Sequence, residues 1–156
     1  MRIHRLALAL LVVYVVVLAV LTLRPVGADI ESHLRINLKP WATIGTALRL
    51  GPGSFPFRTL IGNLLAFVPL GLLLPATKLL RWPFVVLAGM LLSIAIEATQ
   101  YGLSLYVGHG YRAADVDDVI VNTCGTVVGL ALFGAAIAAQ RLVRRLRGVE
   151  AVPQVD

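Results

Sequence analysis

From Leu6 to Leu23 the chain runs through Leu, Val and Ala without a charged residue, and the run stops at Arg24-Pro25. Its length matches the about 20 apolar residues that a helix needs to cross the hydrocarbon core of a bilayer. Three further passages repeat the pattern: Leu60 to Leu74, reaching toward Leu80; Phe84 to about Tyr106; and about Val116 to Ala139. Backbone groups in lipid must be satisfied within the protein, and a helix does this inside its own segment, so all of these passages read as helices. The chain is 58% hydrophobic and 14% charged, against about 45–50% and about 25% for a soluble domain. That balance excludes an ordinary soluble domain and a disordered chain. The expected fold class is all-α, an integral membrane four-helix bundle, multi-pass in the cell membrane.

Residues 1–59 are expected to hold the first transmembrane helix and a long extracytoplasmic loop, 60–139 a three-helix region, and 140–156 a basic cytoplasmic tail. The rival for the first passage is a cleavable signal peptide ending near Val26-Gly27-Ala28. It fits less well, because signal h-regions run about 7–15 residues. Pro69 in the second passage predicts a kink, and Trp41 with Phe55-Pro56-Phe57 are placed at headgroup level, where aromatic rings are favoured. The formal net charge of +6 comes from basic residues at segment edges rather than on one face. It points to topology and contact with membrane lipids, and no nucleic acid is expected as a partner. Arg2, Arg5, Lys78, Arg81, Arg141, Arg144, Arg145 and Arg147 crowd the helix ends on one side. Arg24, Arg35, Lys39, Arg49 and Arg58 are spread along the loop on the other, with Arg112. Both termini are therefore expected in the cytoplasm. The single cysteine, Cys124, reads as helix packing and supports no internal disulfide.

With that orientation the intramembrane polar residues Asn63, Glu97, Gln100, Asp118 and Asn122 all fall toward the outer interface. Ser93, Glu97 and Gln100 share a helix face, as do Asp118 and Asn122, with Asp115 joining them if the helix begins early; Asp117 points elsewhere. Gly125-x-x-x-Gly129 permits close approach by a neighbouring helix, and the third and fourth spans are expected to face each other through these surfaces.

Three stretches carry a resemblance: Asn63-Leu64-Leu65-Ala66-Phe67-Val68-Pro69-Leu70-Gly71, then Ser93-Ile94-Ala95-Ile96-Glu97-Ala98-Thr99-Gln100, then Arg112-Ala113-Ala114-Asp115-Val116-Asp117-Asp118-Val119-Ile120-Val121-Asn122-Thr123-Cys124-Gly125. In order and spacing they resemble the signature stretches of the VanZ-like family. The pattern falls on Asn63, Phe67, Pro69, Gly71, Glu97, Gln100, Arg112, Asp115, Asp118, Asn122 and Gly125, and the N-terminal third lies outside it. The family's namesake is linked to low-level resistance to the glycopeptide teicoplanin. The resemblance thus implies a cell-envelope role in glycopeptide tolerance, through a surface lipid, a lipid-linked wall precursor or a glycopeptide-related ligand, without supplying a reaction.

A carboxylate inside a span is costly unless it is paired or faces a cavity. Glu97 therefore reads either as a general acid/base or as one half of an ion pair with Arg112. In the catalytic reading Arg112 clamps an anion, Asp115 and Asp118 orient the pair, and Asn63, Gln100 and Asn122 bind substrate. In the structural reading the same residues form an interhelical hydrogen-bond network. Asp115, Asp118 and Glu97 suit a divalent cation in ligand type, but Arg112 would repel it, so no metal is assigned; the residues indicate no particular cofactor. His109, between Gly108 and Gly110, reads as a loop residue. A small transporter has little support in spans that show no internal repeat.

Overall fold

The computed structural model describes residues 2–23, 36–107 and 114–150. Its elements are α1 (Arg2–Thr22), β1 (Ile36–Asn37), α2 (Ala42–Leu50), α3 (Phe55–Ala76), α4 (Trp82–Val107), β2 (Ala114–Asp115) and α5 (Val116–Glu150). Among the described residues the fold is all-α apart from one parallel pair of two-residue strands, in which Ile36 faces Ala114 and Asn37 faces Asp115. Among the described residues four helices, α1, α3, α4 and α5, are long and apolar enough to cross a membrane.

The local chemistry explains where these helices differ from expectation. α3 begins at Phe55, because the Ser54 hydroxyl caps it by accepting from the Phe57 N–H at 3.3 Å. Pro56 sits in its first turn, where a missing donor removes no helical bond. Phe55-Pro56-Phe57 is thus helix rather than loop. α5 continues through its arginines to Glu150, since arginine is a good helix former. α2 is a fifth helix inside the segment expected as loop, and its nine residues are too few to cross a bilayer.

α3 and α5 run parallel and pack most closely. Gly125 lies against the Leu64 carbonyl, Gly129 against the Val68 carbonyl, and Gly71 against the backbone of Thr126 and Leu130, so a Cβ at any of these positions would overlap backbone atoms. The glycine pair therefore receives the second span and not the third, correcting the expectation. On α3 it is Gly71 that lets the backbone of Thr126, Gly129 and Leu130 come close in turn. α4 meets α5 antiparallel through side chains instead: Gly89 faces Thr126, and Asn122 Nδ2 donates to Ser93 Oγ at 2.9 Å.

α1 is tied to α3 at two levels. Tyr14 donates its hydroxyl to the Ala66 carbonyl at 2.7 Å, and His4 Nδ1 donates to the Ala76 carbonyl at 2.9 Å. Ala66 lies in the turn before Pro69, whose missing N–H removes the helical bond to the Leu65 carbonyl one residue earlier. Leu11 and Leu18 of α1 join Phe67, Leu70, Leu74, Val85 and Ile96 in the buried core.

Candidate functional site

At one end of these helices, where α1 finishes and α3 and α5 begin, β1 pairs with β2 and α2 folds onto α3 and α5. Asp115 stands at the junction. Its N–H donates to Glu97 Oε2 at 2.9 Å. Its Oδ1 accepts from Asn37 Nδ2 at 2.9 Å and from the Asp117 N–H at 2.8 Å, and its Oδ2 accepts from the Thr43 hydroxyl at 2.5 Å. Glu97, on α4, is buried at 8% exposure.

Asp117 is the most buried carboxylate among the described residues, at 1% exposure. Its Oδ1 accepts from the Trp41 N–H at 2.6 Å, and its Oδ2 from the Thr43 and Ile44 N–H groups at 2.8 and 3.1 Å. These belong to the N-terminus of α2, whose first N–H groups have no partner within the helix and where negative charge is favoured. Asp117 was expected to point away from the polar layer and instead sits inside it. The sequence held one signal for this: Pro40-Trp41 precedes α2, and neither residue has a side chain able to cap it.

The other expected site residues separate. Gln100 Nε2 donates to the Thr22 carbonyl at 2.7 Å and so closes the C-terminus of α1. Asn122 lies deeper, held to Ser93, and its buried Oδ1 has no hydrogen-bond partner among the described residues. Asn63 is half-buried on α3, level with Cys124 in the register that sets Leu64 on Gly125. Asp118 is half-buried and, with Asp117, Thr43, Phe55, Thr59 and Leu60, lines a cleft of about 170 Å³ between α2, α3 and α5. A second cleft, of about 260 Å³, runs between β1, α4 and α5 along Ile94, Ala98, Tyr101 and Val119, with Glu97 and Asp115 in its wall. Arg112 and His109 lie outside the described residues.

The structure thus brings Glu97 and Asp115 together, sets Asp118 beside Asp117, and gives Gln100 and Asn122 partners of their own. Among the described residues no three His, Cys, Asp or Glu gather as a metal site. Both oxygens of Asp115 face an amide, a hydroxyl and a backbone N–H, which fastens chain to chain.

Comparison with known proteins follows the same outline. The VanZ/LLP1 family model matches residues 11–138. The chain belongs to the VanZ/LLP1 family. Protein VanZ of Enterococcus faecium is 33% identical over 135 residues, covering 80% of this chain and 71% of that protein. No solved structure matches the chain. The match begins within α1 and takes in β1 and α2, which the signature stretches alone had left outside the family. Asn37 and Thr43 give that segment a physical place in it, since both donate to Asp115.

Proposed function

We propose that this VanZ-family chain is a multi-pass protein of the cell membrane with both termini in the cytoplasm. Its acidic site faces outward and serves tolerance to glycopeptides of the teicoplanin type by binding or modifying a surface lipid or wall precursor. The observation that carries this reading is the pairing of Glu97 with Asp115 at the wall of an apolar cleft between two membrane-crossing helices. A carboxylate kept inside a span is a functional hypothesis by default, and the family supplies the envelope context. A lipid tail lies along Ile94, Ala98 and Val119 in this reading, with its head at Glu97, which acts as acid/base. Asp115 orients Glu97 through its backbone N–H, Asp118 borders the neighbouring cleft, and Arg112 clamps an anion.

The test is glycopeptide susceptibility of cells lacking the protein, complemented with wild type, Glu97→Gln or Arg112→Lys, with membrane levels followed by immunoblot. Wild type restores tolerance and the two well-expressed variants do not. Full complementation by both variants would refute the reading. A second reading is favoured by the partners found within the protein: Gln100 on Thr22, Asn122 on Ser93 and Asp117 on α2. In it the polar layer only packs the helices, and Glu97→Gln, which keeps a hydrogen-bonding side chain, complements.

A further inference from the structure

A helix of nine residues is shorter than the about 12–15 that an isolated helix needs to persist in water. α2 also lacks a cap of its own, because Trp41 before it takes a left-handed backbone (φ 69°) and offers no side-chain acceptor. What holds its N-terminus is Asp117, reached across 76 positions of sequence. Thr43 is the pivot of the arrangement. Its N–H donates to Asp117 at 2.8 Å while its hydroxyl donates to Asp115. Asp117 in turn donates its own N–H to Asp115, and Asp115 donates its N–H to Glu97. Two alternate residues of one strand-to-helix junction therefore grip the same loop segment and are linked to each other.

We propose that Asp117 is the positioning residue of the acidic site: its carboxylate anchors the N-terminus of α2 and so sets Asn37 and Thr43 on Asp115, beside Glu97. Asp117 acts through residues 36–44 and touches no ligand in this role. The proposal rests on the reading of Glu97 and Asp115 as a working site only for its effect on tolerance. Both carboxylate oxygens are used, Oδ1 for Trp41 and Oδ2 for Thr43 and Ile44. Asparagine at this position keeps the size but offers one oxygen, and turns its NH₂ toward a backbone donor.

The test uses the full chain in opened membrane fragments, in a Cys124→Ser background. Ala47 on α2 is fully buried, so Ala47→Cys reports docking by its reaction with a hydrophilic maleimide. With Asp117 present the thiol is protected, and Asp117→Asn raises the labelling rate by about tenfold or more, as the loss of a charged cap implies. The paired positions Ile36 and Ala114, both replaced by cysteine, form a disulfide readily with Asp117 and far less with Asp117→Asn. Labelling and cross-linking unchanged by Asp117→Asn would overturn the proposal, whatever tolerance does. Thr43→Val keeps the N–H for Asp117 but removes the hydroxyl from Asp115. It leaves position 47 protected and lowers tolerance as Asp117→Asn does, and this arm stands even if Asp117→Asn fails to accumulate. Full tolerance in Thr43→Val would overturn the coupling to Asp115. If the wild-type chain confers no tolerance at all, the functional reading fails, and labelling and cross-linking still decide the proposal.

Discussion

Gly129 and Gly134 lie on the same helix, α5, and differ in what surrounds them, so replacing each by alanine separates packing from helix propensity. A Cβ at Gly129 collides with the Val68 carbonyl and stands 3.0 Å from Gly71 Cα, whereas a Cβ at Gly134 meets nothing within 4 Å. Alanine improves intrinsic helix propensity by about 1 kcal/mol at either position, and that gain cancels in the comparison. What remains is the steric term at Gly129. Its obstacles are backbone atoms that no rotamer change can move, so relief requires α3 and α5 to separate. Overpacking costs about 1–3 kcal/mol, and even a gap of about 0.5–1 Å forfeits a quarter to a half of the local dispersion attraction. Gly129→Ala is therefore expected to be less stable than Gly134→Ala by about 1–3 kcal/mol, in the upper half of that range because the contact is backbone on both sides. Gly134→Ala stays at or slightly above wild type. The measurement is unfolding by SDS in mixed micelles, followed by the helical circular-dichroism signal. Equal stability of the two variants would refute the close α3–α5 contact.

The same assay reads two hydrogen bonds. Tyr14→Phe removes the hydroxyl's hydrogen bond to the Ala66 carbonyl and lowers stability by about 0.5–1.5 kcal/mol; an unchanged midpoint would mean that the hydroxyl is not engaged. Ser93→Ala strips Asn122 Nδ2 of its partner in a buried site and costs about 1–3 kcal/mol. Combined with Asn122→Val it costs less than the sum of the two single changes, and strict additivity would show the pair to be uncoupled. Gln100→Leu frees the Thr22 carbonyl, so amide hydrogen exchange speeds up in the last turn of α1 while the rest of that helix keeps its protection.

The chemistry of the acidic site divides along the same lines as its legibility. Glu97 stood out in the sequence because a carboxylate within an apolar run is conspicuous wherever the chain goes afterwards. Asp115 and Asp118 were noticed through their helical spacing with Asn122 and again in the family pattern, but the donors that engage Asp115 were not. Asn37 and Thr43 are ordinary polar residues in a mixed segment, and nothing near them in sequence marks them as partners of a carboxylate some seventy positions on. Gln100 was read as a substrate-binding or interhelical amide, and its Nε2 is held at the end of α1. A helix C-terminus in an apolar setting needs a donor, and which side chain provides it depends on how the helices are placed.

By itself the sequence determined the four helices long and apolar enough to cross a membrane, since apolar runs of that length leave the backbone no other way to satisfy its own groups in lipid. It also determined the burial of Glu97 within α4, and it carried in Ser54 and Pro56 a local start for α3 that the apolar run from Leu60 had masked. These are properties of contiguous residues, and contiguous residues carry them. Tertiary structure decided that Gly125 and Gly129 receive α3 rather than α4, that a short helix forms in the first connection, and that Asp117 holds it. Apolar helices specify almost nothing about which neighbour they face, because every apolar side is equally content against lipid or helix. The choice passes to glycine gaps and to donor–acceptor matches between distant residues, and those exist only once the chain has folded.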